Sequence, residues 1–123
     1  MSAALKILAV DNEPSVTLSL RYIFARPRYE VTGVEDGNAA LAELDGDSNR
    51  YDIIIVDQKM PHLTGVELVH EIRERGIPGK IIVVSAHLSS DIREAYERMD
   101  VHVMFGKPFD IGELRLAVDR LAA

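Results

Sequence analysis

At 123 residues the chain has the length of one domain, with no room for a second catalytic or DNA-binding domain, so residues 1–123 are read as a single unit. Its 47% hydrophobic and 28% charged residues describe a folding, water-facing domain, and 14 basic against 20 acidic residues (net −6) disfavour nucleic acid or an anionic membrane and favour a cation as ligand. The absence of cysteine excludes disulfides, thiolate metal sites and a cysteine nucleophile, and no apolar run approaches the roughly 20 residues of a membrane span or forms a signal-peptide core after Met1, so a cytoplasmic protein is expected.

In chain order, Leu5 to Val10 is a short apolar run of strand character. Pro14 then suits a first helical turn, and Val16, Leu20, Ile23 and Phe24 form one apolar stripe, predicting a first helix to about Ala25. Glu30 to Val34 reads as a second strand, followed by an Asp36-Gly37 turn and a helix over Ala39 to Leu44. Gly46 to Asn49 is a polar loop before Asp52 to Val56. That third run and the fourth, Lys80 to Val84, carry unbroken Ile and Val without polar alternation, as a central strand covered on both faces does. Thr64 with Glu67 predicts a capped helix near 65–75, which Gly76 and Pro78 close. A fourth helix is expected over Asp91 to Met99 after Ser89 and Ser90. Val101 to Phe105 reads as the fifth strand, and Asp110 with Glu113 opens a helix near 111–121. Five strands alternating with five helices through short connections imply a doubly wound α/β fold with a parallel sheet.

In such sheets ligands sit beyond the carboxyl ends of the strands, so the residues following each run carry the chemistry. They are Asp11-Asn12-Glu13, Asp57, Ser85 and Gly106-Lys107-Pro108. An acid at a strand end alone is usually a cap, and a lone lysine is usually surface. A carboxylate cluster, a hydroxyl and an ammonium on one rim are harder to dismiss. Crowded carboxylates suit Mg²⁺, and a carboxylate at Asp57 beside a lysine and a hydroxyl suits in-line attack on phosphorus, giving an acyl phosphate.

These residues resemble the receiver domains of two-component response regulators along essentially the whole chain. The matching pieces are Val10 to Pro14, Glu35 to Leu41, Tyr51 to Asp57, Met60-Pro61 with Gly65, Ser85-Ala86, and Lys107-Pro108-Phe109 with Glu113-Leu114. The resemblance implies a flavodoxin-like strand order 2-1-3-4-5 and transfer of phosphate from a sensor histidine kinase or phosphotransfer protein to Asp57. It implies that the domain catalyses its own phosphorylation, that Ser85 and Lys107 contact the phosphoryl group, and that the Lys107–Pro108 peptide is cis. It assigns Mg²⁺ to Asp11, Asn12, Asp57 and the backbone carbonyl of Lys59, with Lys59 and His87 flanking the phosphoryl group as candidates for tuning its lifetime.

The sequence departs from the family pattern where Asn12 replaces a second acid, keeping an oxygen ligand but losing a charge, so weaker Mg²⁺ binding is expected, restored about tenfold by Asn12→Asp. Met104 stands where an aromatic is usual. It is expected to move behind Ser85 on phosphorylation, a soft switch because methionine has no hydroxyl to trade. Phe105, on the opposite side of the strand, reads as core. Output to an effector or second copy is expected through the face of the fourth helix, fifth strand and fifth helix, with Arg93, Tyr96, His102, Met104 and Arg115. The scattered His62, His70, His87 and His102 do not form a zinc site. Two rival readings are a pseudo-receiver that binds partners without phosphorylation, and a phosphohydrolase of the haloacid-dehalogenase kind, which wants a second aspartate where Lys59 stands.

Overall fold

The strands and helices follow from where apolar side chains can be buried. In the computed structural model, which describes residues 3–47 and 50–122, the chain runs β1 (Leu5–Val10), α1 (Pro14–Ile23), β2 (Tyr29–Val34), α2 (Gly37–Gly46), β3 (Ile53–Val56), α3 (Gly65–Glu74), β4 (Lys80–Ser85), α4 (Ser90–Arg98), β5 (Met104–Gly106) and α5 (Ile111–Ala122). All pairings are parallel, in the order β2-β1-β3-β4-β5. Ser48 and Asn49 of the expected polar loop lie outside the described residues.

Alternate side chains of the central strands divide the core in two. Leu8, Val10, Ile54, Val56, Ile81 and Val83 face α2, α3 and α4 through Leu44, Leu68, Ile72 and Tyr96. Ile7, Ala9, Ile53, Ile55, Ile82 and Val84 face α1 and α5 through Leu20, Phe24, Leu114 and Val118. A fully buried Ile or Leu contributes about 1.5–3 kcal/mol, against about 1 kcal/mol for a helix cap, so the two apolar faces decide where the helices lie and the caps only set their starts. Thr64 and Glu67 form the expected reciprocal capping box of α3. Asp110 accepts the Glu113 N–H at α5, and Ser89 caps α4 through the Ile92 N–H. Among the described residues no helix is long and apolar enough to cross a membrane.

Of the boundaries that differ from the expectation, two have a clear local cause. Helix α2 begins at Gly37, because Asp36 is its cap and accepts the Ala39 N–H at 2.7 Å instead of belonging to a separate turn. Strand β5 begins at Met104, not Val101. Asp100 stands in the left-handed region at φ 61°, and the Val101 N–H turns back to the Tyr96 carbonyl at 3.0 Å, so Val101 still belongs to the end of α4. Its apolar side chain fills core without pairing as strand.

Candidate functional site

The parallel ladder extends one residue past the strands and thereby sets the functional side chains in a row. The Asp11 N–H donates to Val34, the Asp57 N–H to Val10 and the Lys107 N–H to Ser85, at 3.1, 3.0 and 3.1 Å. Each backbone is fixed by its neighbour strand, so Asp11 and Asp57 stand side by side while Lys107 reaches across from the sheet edge. The Lys107 Nζ lies 2.7 Å from Asp11 Oδ2, and 3.5 Å from both Asp57 Oδ2 and Glu13 Oε1. The Lys107–Pro108 peptide is cis.

Glu13 completes the cluster because of how α1 starts. It is the N-cap residue with Pro14 following, and its side chain makes no capping bond, so the carboxylate is available to Lys107. Its N–H donates to Asp11 Oδ1 at 2.9 Å, which folds the loop over the site. Carboxylate oxygens of Asp11, Glu13 and Asp57 all lie within 4.8 Å of one another. Asp11 and Asp57 are only 3% and 4% exposed, so their repulsion is poorly screened by water. An all-oxygen set of three acids answered by one ammonium fits a hard divalent cation such as Mg²⁺.

Burial lifts the Asp11 carboxyl above the ordinary aspartate range, a rise that the hydrogen bonds from Lys107 and the Glu13 N–H offset only in part. Burial pulls Lys107 downward, but its bond to Asp11 and the charges of Asp11, Asp57 and Glu13 outweigh this and raise it. The balance differs because Lys107 faces three acids, whereas Asp11 faces a single ammonium together with the repelling charge of Asp57. The lysine therefore stays charged over a cluster short of positive charge.

A small cleft of about 140 Å³ opens above these groups, lined by Asp57 and Lys107 with Asn12, Glu13, Lys59, Ala86 and His87. Asn12, Lys59 and His87 are all exposed, as rim positions would be. Ser85 is buried beneath the rim, and its Oγ accepts the His87 N–H at 3.1 Å. The structure thus gathers Asp11, Asp57 and Lys107 as expected, and adds Glu13 as the third acid where the sequence had pointed to the Asn12 amide. The signal for Glu13 was present as an acid two residues after Asp11, ahead of Pro14.

The expected output face needs two corrections. Tyr96 is fully buried, with its hydroxyl donating to Gln58 Oε1, so it offers nothing to a partner surface. Arg115 is exposed, but its Nη2 donates to the Ile23 carbonyl at 3.0 Å and so turns towards α1 instead of α4. Arg93 and His102 are exposed, and the half-buried Met104 packs against the core that holds Tyr96.

With Glu13 already supplying a carboxylate, Glu13→Gln is expected to weaken Mg²⁺ binding about tenfold, close to 1.4 kcal/mol, and Asn12→Asp to tighten it by less than that. Calorimetric titration of Mg²⁺ into the three proteins measures this. An unchanged dissociation constant in Glu13→Gln would remove Glu13 from the site.

Residues 7–119 match the family described as response regulator receiver domain. The chain is 27% identical to sporulation initiation phosphotransferase F of Bacillus subtilis over 94% of its own length and 91% of that protein. It is 31% identical to the transcriptional regulatory protein ResD of the same organism, covering 94% of the chain but 47% of the relative. Among solved structures it is similar to the chemotaxis protein CheY4 of Vibrio cholerae, with a TM-score of 0.86 and 28% identity over 97% of this chain and 99% of that one. The receiver domain of Francisella response regulator 1452 aligns with a TM-score of 0.83 and 29% identity over 95% of both chains.

Proposed function

This chain belongs to the response regulator receiver domains of two-component systems, and on that premise we propose that it accepts a phosphoryl group on Asp57 from a histidine kinase or phosphotransfer protein, using Mg²⁺. The observation that carries the reading is the convergence of Asp11, Glu13, Asp57 and the Lys107 ammonium on one small cleft at the ends of β1, β3 and β5. An Asp57 oxygen bonds to phosphorus while the P–N bond to the donor imidazole, which carries a proton on its other ring nitrogen, breaks. The products are an aspartyl phosphate and a neutral imidazole.

Asp11, Glu13 and Asp57 would hold Mg²⁺, which when bound supplies positive charge for the phosphoryl oxygens. Lys107 supplies the other positive charge and stays over the site because Asp11 anchors it at 2.7 Å. Ser85, at the end of β4, whose Oγ accepts the His87 N–H, would donate its hydroxyl hydrogen to a phosphoryl oxygen. Lys59 and His87 line the cleft mouth, where they set how easily water reaches the acyl phosphate. Met104, half-buried against the core that holds Tyr96, would then move into the space behind Ser85. A pseudo-receiver would not need Asp11 and Asp57 buried side by side with a lysine and a third acid held against them.

Incubation with acetyl phosphate and Mg²⁺ is expected to add one phosphoryl unit by intact mass, and chelation with EDTA to reduce that uptake at least about tenfold. Unmodified protein under both conditions would favour the pseudo-receiver.

A further inference from the structure

Gln58, the residue after Asp57, carries more hydrogen bonds than its place requires. Its N–H donates to Asp57 Oδ1 at 2.8 Å, and its carbonyl accepts the Gly65 N–H at 2.9 Å. Its side-chain Oε1 accepts both the Val66 N–H of α3, at 3.0 Å, and the Tyr96 hydroxyl of α4. One buried amide therefore ties the phosphoacceptor's own carboxylate to the first turn of α3 and to α4.

The α4 end of this link is unusual in its composition. Helix α4 reads Ser-Asp-Ile-Arg-Glu-Ala-Tyr-Glu-Arg, and Tyr96 is its single fully buried residue, with Ile92 half-buried beside it. A helix this polar gains little from general burial, so its seating on the sheet depends on that one side chain. The pocket exists because position 65 is glycine. A β-carbon there would meet the Tyr96 hydroxyl, the Asp57 carbonyl oxygen at 2.5 Å and Gln58 Cα at 3.0 Å. Burial first, and then the negative charge of Asp57, hold the Tyr96 hydroxyl protonated far above its ordinary range, so it remains a donor. Met104 packs against the same core but has no polar group with which to read the Asp57 loop.

We propose that Tyr96 is a positioning residue for Asp57, acting through Gln58, and that the seating of α4 is thereby coupled to the state of the Asp57 carboxylate. This rests on the reading of Asp57 as the phosphoacceptor. An oxygen of Asp57 that becomes phosphorylated changes what the Gln58 N–H can bond, the Gln58 peptide and amide shift together, and the Tyr96 hydroxyl follows. The coupling runs equally in reverse, so a partner that holds α4 in its seated position biases the geometry of Asp57.

The test compares amide chemical shifts of the full chain with and without beryllofluoride and Mg²⁺, in the native protein, Tyr96→Phe, Gln58→Leu and the double variant. The native protein is expected to show changes near Asp57, Ser85 and Lys107 and along residues 90–99. In Tyr96→Phe the changes near the rim persist, those along α4 fall by about threefold or more, and phosphorylation by acetyl phosphate slows about three- to tenfold, as loss of one hydrogen bond implies. Gln58→Leu loses the same α4 response and in addition leaves the Val66 N–H without its acceptor, and the double variant adds nothing to Gln58→Leu, because the Tyr96 link is already gone in it. Undiminished α4 changes in Tyr96→Phe, or additive effects in the double variant, would overturn the coupling. Native protein with no change even at the rim would overturn the phosphoacceptor reading itself, and the coupling with it.

Discussion

Gly65→Ala is expected to destabilise the protein by about 3 kcal/mol, a large share of the 5–15 kcal/mol that holds a typical domain folded. The added methyl group lies 2.5 Å from the Asp57 carbonyl oxygen and 3.0 Å from Gln58 Cα, both backbone, so no rotamer change relieves it. The Tyr96 hydroxyl is the third obstacle. Removing it in Gly65→Ala/Tyr96→Phe therefore recovers only part of the loss. Because the crowded atoms belong to the Asp57–Gln58 peptide, phosphorylation should fall along with stability. Urea denaturation of the single and double variants measures the first effect, and a stability within about 0.5 kcal/mol of the native protein would show that the contact yields easily.

Lys107→Met retains most of the apolar stem and removes the charge. Without metal, Asp11, Glu13 and Asp57 then face one another with no other lysine or arginine nitrogen within 4 Å among the described residues, and a loss of about 1–3 kcal/mol is expected. Saturating Mg²⁺ should restore much of this, since binding at 100 times the dissociation constant contributes about 2.7 kcal/mol to the folded state. Phosphorylation is different, because lysine and metal act there together. Its rate is expected to drop about ten- to a hundredfold even with saturating Mg²⁺. Thermal denaturation with and without Mg²⁺, together with the rate of acetyl phosphate uptake, separates the two roles. A variant as stable as the native protein without metal, and as fast with it, would remove Lys107 from both.

The strand-end residues were legible in the sequence because the fold brings the same end of every parallel strand to one rim. Asp11, Asp57, Ser85 and Lys107 needed only the limits of four apolar runs to be found. Glu13 was visible but not assigned, since an acid ahead of Pro14 reads first as a helix cap, and only the folded loop shows its carboxylate turned to Lys107. Tyr96 misled for a physical reason. It sits in a strongly charged helix, where periodicity reads it as surface. Its burial is decided by the space left at Gly65, 31 positions earlier, and by Gln58, and neither is local to α4. The early start assigned to β5 has a similar origin, because an apolar Val101 looks alike whether it extends a strand or closes a helix.

Phosphoryl transfer to Asp57 is tested most directly by treating the native protein and Asp57→Asn side by side with a phosphohistidine donor and Mg²⁺, and measuring intact mass. The expected result is one phosphoryl unit on the native protein and none on Asp57→Asn, with the variant still folded. Equal uptake by both proteins, or none by the native protein under conditions where the donor phosphorylates another receiver, would contradict it.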